Sequence, residues 1–151
     1  MKVGEMCSRN PATVSTSATL SDVACLMRDR HIGAVIVTKA PSDRPVAAGI
    51  VTDRDIVCAQ LDRTSDLGSL SAEEVMTRNP LEINEEDSLS RAIESLRARN
   101  VRRAPVISST GALVGLVSTD DLLACVAGEL MHLGRLVALQ PRQEAKRGSG
   151  G

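Results

Sequence analysis

The sequence predicts a mixed α/β (α+β) chain in which two strand–helix–strand–strand–helix units pack sheet against sheet. Three observations lead there. The chain repeats itself: "EMCSRNP" (Glu5 to Pro11) matches "EVMTRNP" (Glu74 to Pro80) at an offset of 69 residues, and "GIVTDRDIV" (Gly49 to Val57) matches "GLVSTDDLL" (Gly115 to Leu123) at an offset of 66. Within each copy the apolar residues alternate between helical and strand-like spacing. A unit of about 60 residues buries too little surface to be secure alone, a deficit that two copies packed together remove.

The elements follow in order. Pro11 and Pro80 exclude a helix immediately before them, so each "Asn-Pro" predicts an extended entry. Leu20, Val23, Ala24 and Met27 then lie at helical spacing, as do Leu89, Ile93 and Leu96. Thr19 with Asp22 has the spacing of a capping box at the first helix start. "IGAVIV" and "APVIS" are short continuous apolar runs, expected as strands buried on both faces. Turns follow at "APSDRP" and "SSTG", and the three extra residues of the first copy fall in that Pro-rich turn. The strands "AAGIV" and "ALVGLV" come next, and Thr52 or Ser118 opens the closing helix. The first unit is expected over residues 1–61, a polar linker over 62–71 and the second unit over 72–130. An extension of the last helix is expected over 131–140, carrying Leu133, Leu136 and Val137. The polar, Gly-rich stretch 141–151 is expected to be disordered.

Composition narrows the function. Hydrophobic residues make up 42% and charged residues 25%, as in ordinary soluble globular proteins. A net charge of −1 gives no overall pull toward nucleic acid or anionic membrane, and no basic helix suited to DNA is visible. With no Phe, Tyr or Trp, the chain has no ring on which a base of a single strand could stack. No stretch is expected to reach the ~20 apolar residues of a membrane span, and the first residues lack a signal-peptide pattern, so a cytoplasmic protein is expected. Cys7, Cys25, Cys58 and Cys125 show no Cys-x-x-Cys spacing, and only His31 and His132 could assist them. They are expected to be buried reduced thiols, with no metal site. No nucleophile stands beside a base, and no phosphate-cradling Gly-rich loop ending in Lys-Ser or Lys-Thr is present, so no catalytic residue and no enzyme are expected. His31, between a helix and a strand, is expected to be a polar cap residue.

The motifs together, "(M/C)-(S/T)-x-N-P", an amphipathic helix, an "A-P-V" strand in the second copy, and "G-h-V-(T/S)-x-x-D" before a helix, resemble tandem CBS domains over roughly residues 1 to 130. The resemblance implies two units about a pseudo-twofold axis, with two clefts between their sheets. It implies adenine-containing ligands: AMP, ADP or ATP, with NAD-type nucleotides or S-adenosylmethionine as alternatives. It also implies a homodimer, no required cofactor, and regulation of a protein partner. A structural module acting only through its dimer surface is the competing expectation.

The hydroxyl–carboxylate pairs Thr52/Asp55 and Ser118/Asp121 have two readings. Each pair has the spacing of a helix cap worth about 1 kcal/mol. The same helix start offers free N–H groups to phosphate, and its carboxylate can accept from both hydroxyls of a ribose diol. By resemblance the first cleft gathers Ile50, Thr52 and Asp55 with Pro80, Leu81, Val101, Arg102 and Arg103. The second gathers Leu116, Ser118 and Asp121 with Pro11, Ala12, Ile32, Gly33 and Ala34. Two arginines in the first, where the second has Gly33 and Ala34, predict that the first prefers a phosphorylated ligand. The second is expected to be roomier and less charged. Adjacent strand residues face opposite ways, so one of Arg102 and Arg103 is expected to be solvated.

Overall fold

The computed structural model describes residues 1–39, 43–62 and 66–148. In chain order its elements are α1 (Val3–Met6), β1 (Ser8–Arg9), β2 (Thr13–Ser15), α2 (Leu20–Arg30), β3 (Ala34–Thr38), β4 (Ala47–Thr52), α3 (Asp53–Asp62), a single 3-10 turn at Leu67–Ser69, α4 (Ala72–Val75), β5 (Thr77–Arg78), β6 (Ile83–Asn84), α5 (Leu89–Arg99), β7 (Arg103–Ile107), β8 (Leu113–Ser118) and α6 (Thr119–Gly148). The expected unit is present twice, as β2-α2-β3-β4-α3 and β6-α5-β7-β8-α6. In each, a parallel pair (β2 with β3, β6 with β7) continues into an antiparallel one (β3 with β4, β7 with β8). Parts of the "APSDRP" turn and of the 62–71 linker lie outside the described residues.

The two sheets do not divide the chain at the linker. Their strand orders are β2-β3-β4-β5 and β1-β8-β7-β6, so each unit's opening strand belongs to the other unit's sheet. Ser8 and Arg9 pair with Leu116 and Gly115, while Thr77 and Arg78 pair with Ile50 and Gly49. The short helices cross with them. Val3 and Met6 are buried with Ile83, Leu96, Val106, Val117 and Leu122, and Leu70, Ala72 and Met76 with Leu20, Val23, Val35 and Val51. Each fully buried aliphatic side chain contributes about 1.5–3 kcal/mol, so the crossing helices bind the halves together. The stretch expected as a polar linker is partly a core element: Leu67 packs on the first cluster, and the Leu20 N–H donates to the Leu70 carbonyl at 2.9 Å.

The crossing explains the glycine that opens each nine-residue motif. A Cβ on Gly49 would stand 2.5 Å from Met76 Sδ and 2.7 Å from the Thr77 carbonyl oxygen. On Gly115 it would stand 2.7 Å from Cys7 Sγ and 2.8 Å from the Ser8 carbonyl oxygen. Both glycines therefore admit a crossing strand, not a turn.

The helix ends follow the sequence rules. Thr19 and Asp22 form the expected reciprocal cap of α2, both bonds at 3.1 Å, and the Ser88 hydroxyl accepts from the Arg91 N–H at 3.3 Å at the start of α5. His31 and Asn100 close α2 and α5 in the left-handed region, at φ 53 and 51. The expected extended entry at "Asn-Pro" is modified in the same way. Asn10 and Asn79 take φ 63 and 47, because proline excludes the right-handed helical region before it while asparagine tolerates the left-handed one. Asn100→Val is expected to lose about 1–2 kcal/mol, since a β-branched side chain is strained there; the urea unfolding midpoint measures it.

Three expectations change. α6 runs to Gly148 instead of yielding to a disordered tail at 141, consistent with the strong helix formers of "RQEAKR"; residues 149–151 lie outside the described part. One helix does reach membrane-spanning length and composition, Thr119–Leu139. Its first turns are committed elsewhere, with Leu122 in the second core, while Leu130, Leu133, Leu136 and Val137 are exposed. Finally, the cysteines are not all interior: Cys25 and Cys58 are exposed, and Cys7 and Cys125 half-buried. At Cys7, burial pushes the thiol pKa up, against the weaker pull of Arg9, which makes it a poor nucleophile at neutral pH.

Candidate functional site

Two clefts lie between the units, each opening at the start of a helix that follows a central strand. The first, of about 660 Å³, is bounded by the β4–α3 junction (Ile50, Thr52, Asp55), the entry to β6 (Pro80, Leu81) and the α5–β7 turn (Val101, Arg102, Arg103). The second, of about 570 Å³, is bounded by the β8–α6 junction (Leu116, Ser118, Asp121), the entry to β2 (Pro11, Ala12) and the α2–β3 turn (Ile32, Gly33, Ala34). The structure thus brings each sequence-predicted set together around one cleft.

The hydroxyl–carboxylate pairs are helix caps that also line these clefts. The Thr52 N–H donates to Asp55 Oδ2 at 2.8 Å, and the Asp55 N–H donates to Thr52 Oγ1 at 3.3 Å. At the other site the Ser118 N–H and hydroxyl both donate to Asp121 Oδ2 at 2.8 Å, and the Asp121 N–H donates to Ser118 Oγ at 3.2 Å. Each bond to a carboxylate here engages a single oxygen, Oδ2. The arrangement therefore fixes each carboxylate at the positive end of its helix and leaves Oδ1 outside the cap.

The arginines separate the clefts. Arg102 precedes β7 and is the solvated one: its side chain is 79% exposed and stands 3.7 Å from Asp120. Arg103 is half-buried, and its Nη1 donates to the Gly33 carbonyl across the unit boundary at 3.3 Å. Arg54, Arg78 and Arg99 also line the first cleft, giving five arginines against Asp53 and Asp55, whereas Arg30 and Arg103 face the second with Asp121. The second cleft is less charged, as expected, but it is not the roomier one. His31 and Arg30 line it and Arg103 extends into it, where sequence pattern placed only Gly33 and Ala34.

Sequence spacing did not single out Arg30, Arg54, Arg78, Arg99, Asn10 or Asn79. Repeat correspondence offered a signal for some of them, since Asn10 and Asn79 are equivalent positions that face equivalent clefts. Among the described residues no group of three or more His, Cys, Asp or Glu side chains is placed to hold a metal ion.

Comparison with known proteins agrees with this architecture. The CBS domain family model matches the chain twice, at residues 3–62 and 72–128. A CBS domain-containing protein of Bacillus subtilis, YhcV, is 32% identical over 111 residues, covering 74% of this chain and 75% of its own length. An uncharacterized protein of Methanopyrus kandleri is 28% identical over 123 residues, 82% of this chain, and the matched part spans only 61% of that protein. A CBS domain protein of Pyrobaculum aerophilum, solved in complex with AMP, superposes with a TM-score of 0.71 at 28% identity, covering 80% of this chain and 89% of that one. The doubled family match, spread over units whose opening strands are exchanged, shows that the chain belongs to the CBS-domain family, as two CBS domains in tandem.

Proposed function

We propose that this chain is a regulatory module, not an enzyme, that binds an adenine nucleotide of the AMP, ADP or ATP class between its units and signals by shifting their relative angle. The observation that carries the reading is the coincidence in one cleft of a fixed Asp55 carboxylate, the N-terminus of α3 and five arginines. In this reading the free oxygen of Asp55 accepts from the ribose hydroxyls, the helix start and the guanidinium groups meet the phosphate, and adenine lies among Ile50, Pro80, Leu81 and Val101. Ser118 and Asp121 repeat the carboxylate–helix pairing in the second cleft. The Pyrobaculum aerophilum relative, solved with AMP, supports the ligand class. A thermal-shift series with AMP, ATP, NAD and S-adenosylmethionine tests it. AMP at 100 times its dissociation constant adds about 2.7 kcal/mol of stability, a rise of roughly 5–10 °C for a chain of this size. Silence across the panel overturns the reading.

A homodimer is proposed with it. Val57 and Leu61 on α3, Ile93 on α5 and Leu123 on α6 are 59%, 80%, 44% and 67% exposed, and an apolar groove of about 410 Å³ runs between α5 and α6. A second copy covering these helix faces removes that surface from water. Sedimentation is expected to show a dimer for the wild type and a monomer for Leu123→Glu, which places a charge in the contact.

A further inference from the structure

Among the described residues Arg103 is the only side chain that lines both clefts. It opens β7 opposite Ser118, so its backbone belongs to the wall of the second cleft, which carries the Ser118–Asp121 pair. Its guanidinium reaches the first unit and rests on the Gly33 carbonyl at 3.3 Å. The repeat partner of Arg103 is Ala34, which is 4% exposed and pairs with Thr52 as Arg103 pairs with Ser118. The pseudo-twofold axis therefore relates a guanidinium to a methyl group, and two symmetric clefts are served by one cation at this level.

The contact of that cation with Gly33 can be released without leaving the carbonyl bare. The Gly33 carbonyl also accepts from the Asp53 N–H at 3.1 Å, so it stays satisfied when the guanidinium leaves. Asp53 Oδ2 lies 3.1 Å and Arg103 Nη2 3.3 Å from the position a Cβ on Gly33 would take, which puts both groups at the boundary between the clefts. A planar guanidinium engages a phosphate through paired donors on one edge, so a strong bidentate contact in one cleft turns that edge away from the other. A second phosphate near the same cation also meets the charge of the first.

Resting on the nucleotide reading above, we propose that the two clefts share Arg103 as a single phosphate-recognising group and are antagonistic toward phosphorylated ligands. A nucleotide phosphate in the first cleft draws the guanidinium off Gly33 and weakens phosphate binding in the second, and by linkage the reverse holds equally. A ligand without phosphate leaves the guanidinium in place and produces no antagonism.

Calorimetric titration with AMP and, separately, adenosine tests this on the full chain. The variants are Asp55→Ala, which disables the first cleft, Asp121→Ala, which assigns the events, and Arg103→Met in the wild-type and Asp55→Ala backgrounds. The second cleft is expected to bind AMP about tenfold more tightly in Asp55→Ala than in the wild type with its first cleft filled, within the usual range of coupling between sites. That ratio is expected to fall to one in the Arg103→Met pair and to be one for adenosine throughout. Equal AMP affinities whether or not the first cleft is filled, tighter binding when it is filled, or a second cleft that takes no AMP in any variant each overturn the shared-arginine inference and leave the nucleotide reading standing. No AMP binding in either cleft overturns both.

Discussion

Valine in place of Gly49 or Gly115 is expected to destabilise the protein by about 3 kcal/mol or more, the upper range for overpacking. At Gly49 the new Cβ meets the Thr77 carbonyl and the Met76 side chain, and at Gly115 it meets the Ser8 carbonyl and Cys7. A methionine tail can swing aside, but a backbone carbonyl in a strand pairing cannot move without breaking the pairing. Displacing β5 from β4 withdraws Ala72 and Met76 from the first core; displacing β1 from β8 withdraws Val3 and Met6 from the second. Gly134→Ala is the contrast, since nothing lies within 4 Å of its added carbon in α6, and alanine in a helix gains about 0.5–1 kcal/mol over glycine. Urea unfolding midpoints of the variants measure the difference. A Gly49→Val protein as stable as the wild type would show that β5 does not hold its place against β4.

Asp55→Ala is expected to weaken the tighter AMP event by two orders of magnitude or more. Two hydrogen bonds from a ribose diol to a carboxylate, each worth about 1.5–3 kcal/mol as bonds to a charged group, set that scale. The same substitution removes the carboxylate that accepts from the Thr52 N–H, while the backbone N–H at position 55 still donates to Thr52 Oγ1, a loss of about 1 kcal/mol in stability. Asp55→Asn separates the two roles. Its carbonyl oxygen can still accept from the Thr52 N–H, but its amide replaces the free oxygen with a donor. The Asp55→Asn protein is therefore expected to keep most of the stability while losing most of the affinity. Calorimetry beside a thermal melt reads both quantities, and wild-type affinity in both variants would reduce Asp55 to a cap.

The duplicated unit was legible because its signals are local. Thr19 and Asp22 sit three residues apart in the sequence and cap each other in the structure, and Ala34–Val37 reads as a buried strand and is one. The cleft residues on the Thr52 and Ser118 motifs were legible for the same reason. What escaped is what depends on the partner half. "MCSR" and "MTRN" are too short and too polar to announce strands, since β1 and β5 exist only as two-residue additions to a sheet built by the other copy. Arg54, Arg78 and Arg99 read as ordinary surface charges in the sequence, and they stay exposed in the structure, where the packing of the two units gathers them at the rim of one cleft. Leu67 and Leu70 sit in a polar stretch that gave no hint of a core role. The direction of Arg103 also escaped, because alternation along a strand leaves open which of two neighbouring arginines turns inward.

The exchanged opening strands also set the order in which the protein can form. Ser8 pairs with Leu116, so β1, made before the rest of both units, waits for β8, the last strand of the described residues, to be made. Such long sequence separation slows folding, and until β8 and α6 arrive, the pocket of Val3 and Met6 lacks Val117 and Leu122. A nascent chain halted before β8 would expose that apolar segment, the stage at which this fold is most open to chaperone capture or to mispairing with a second chain.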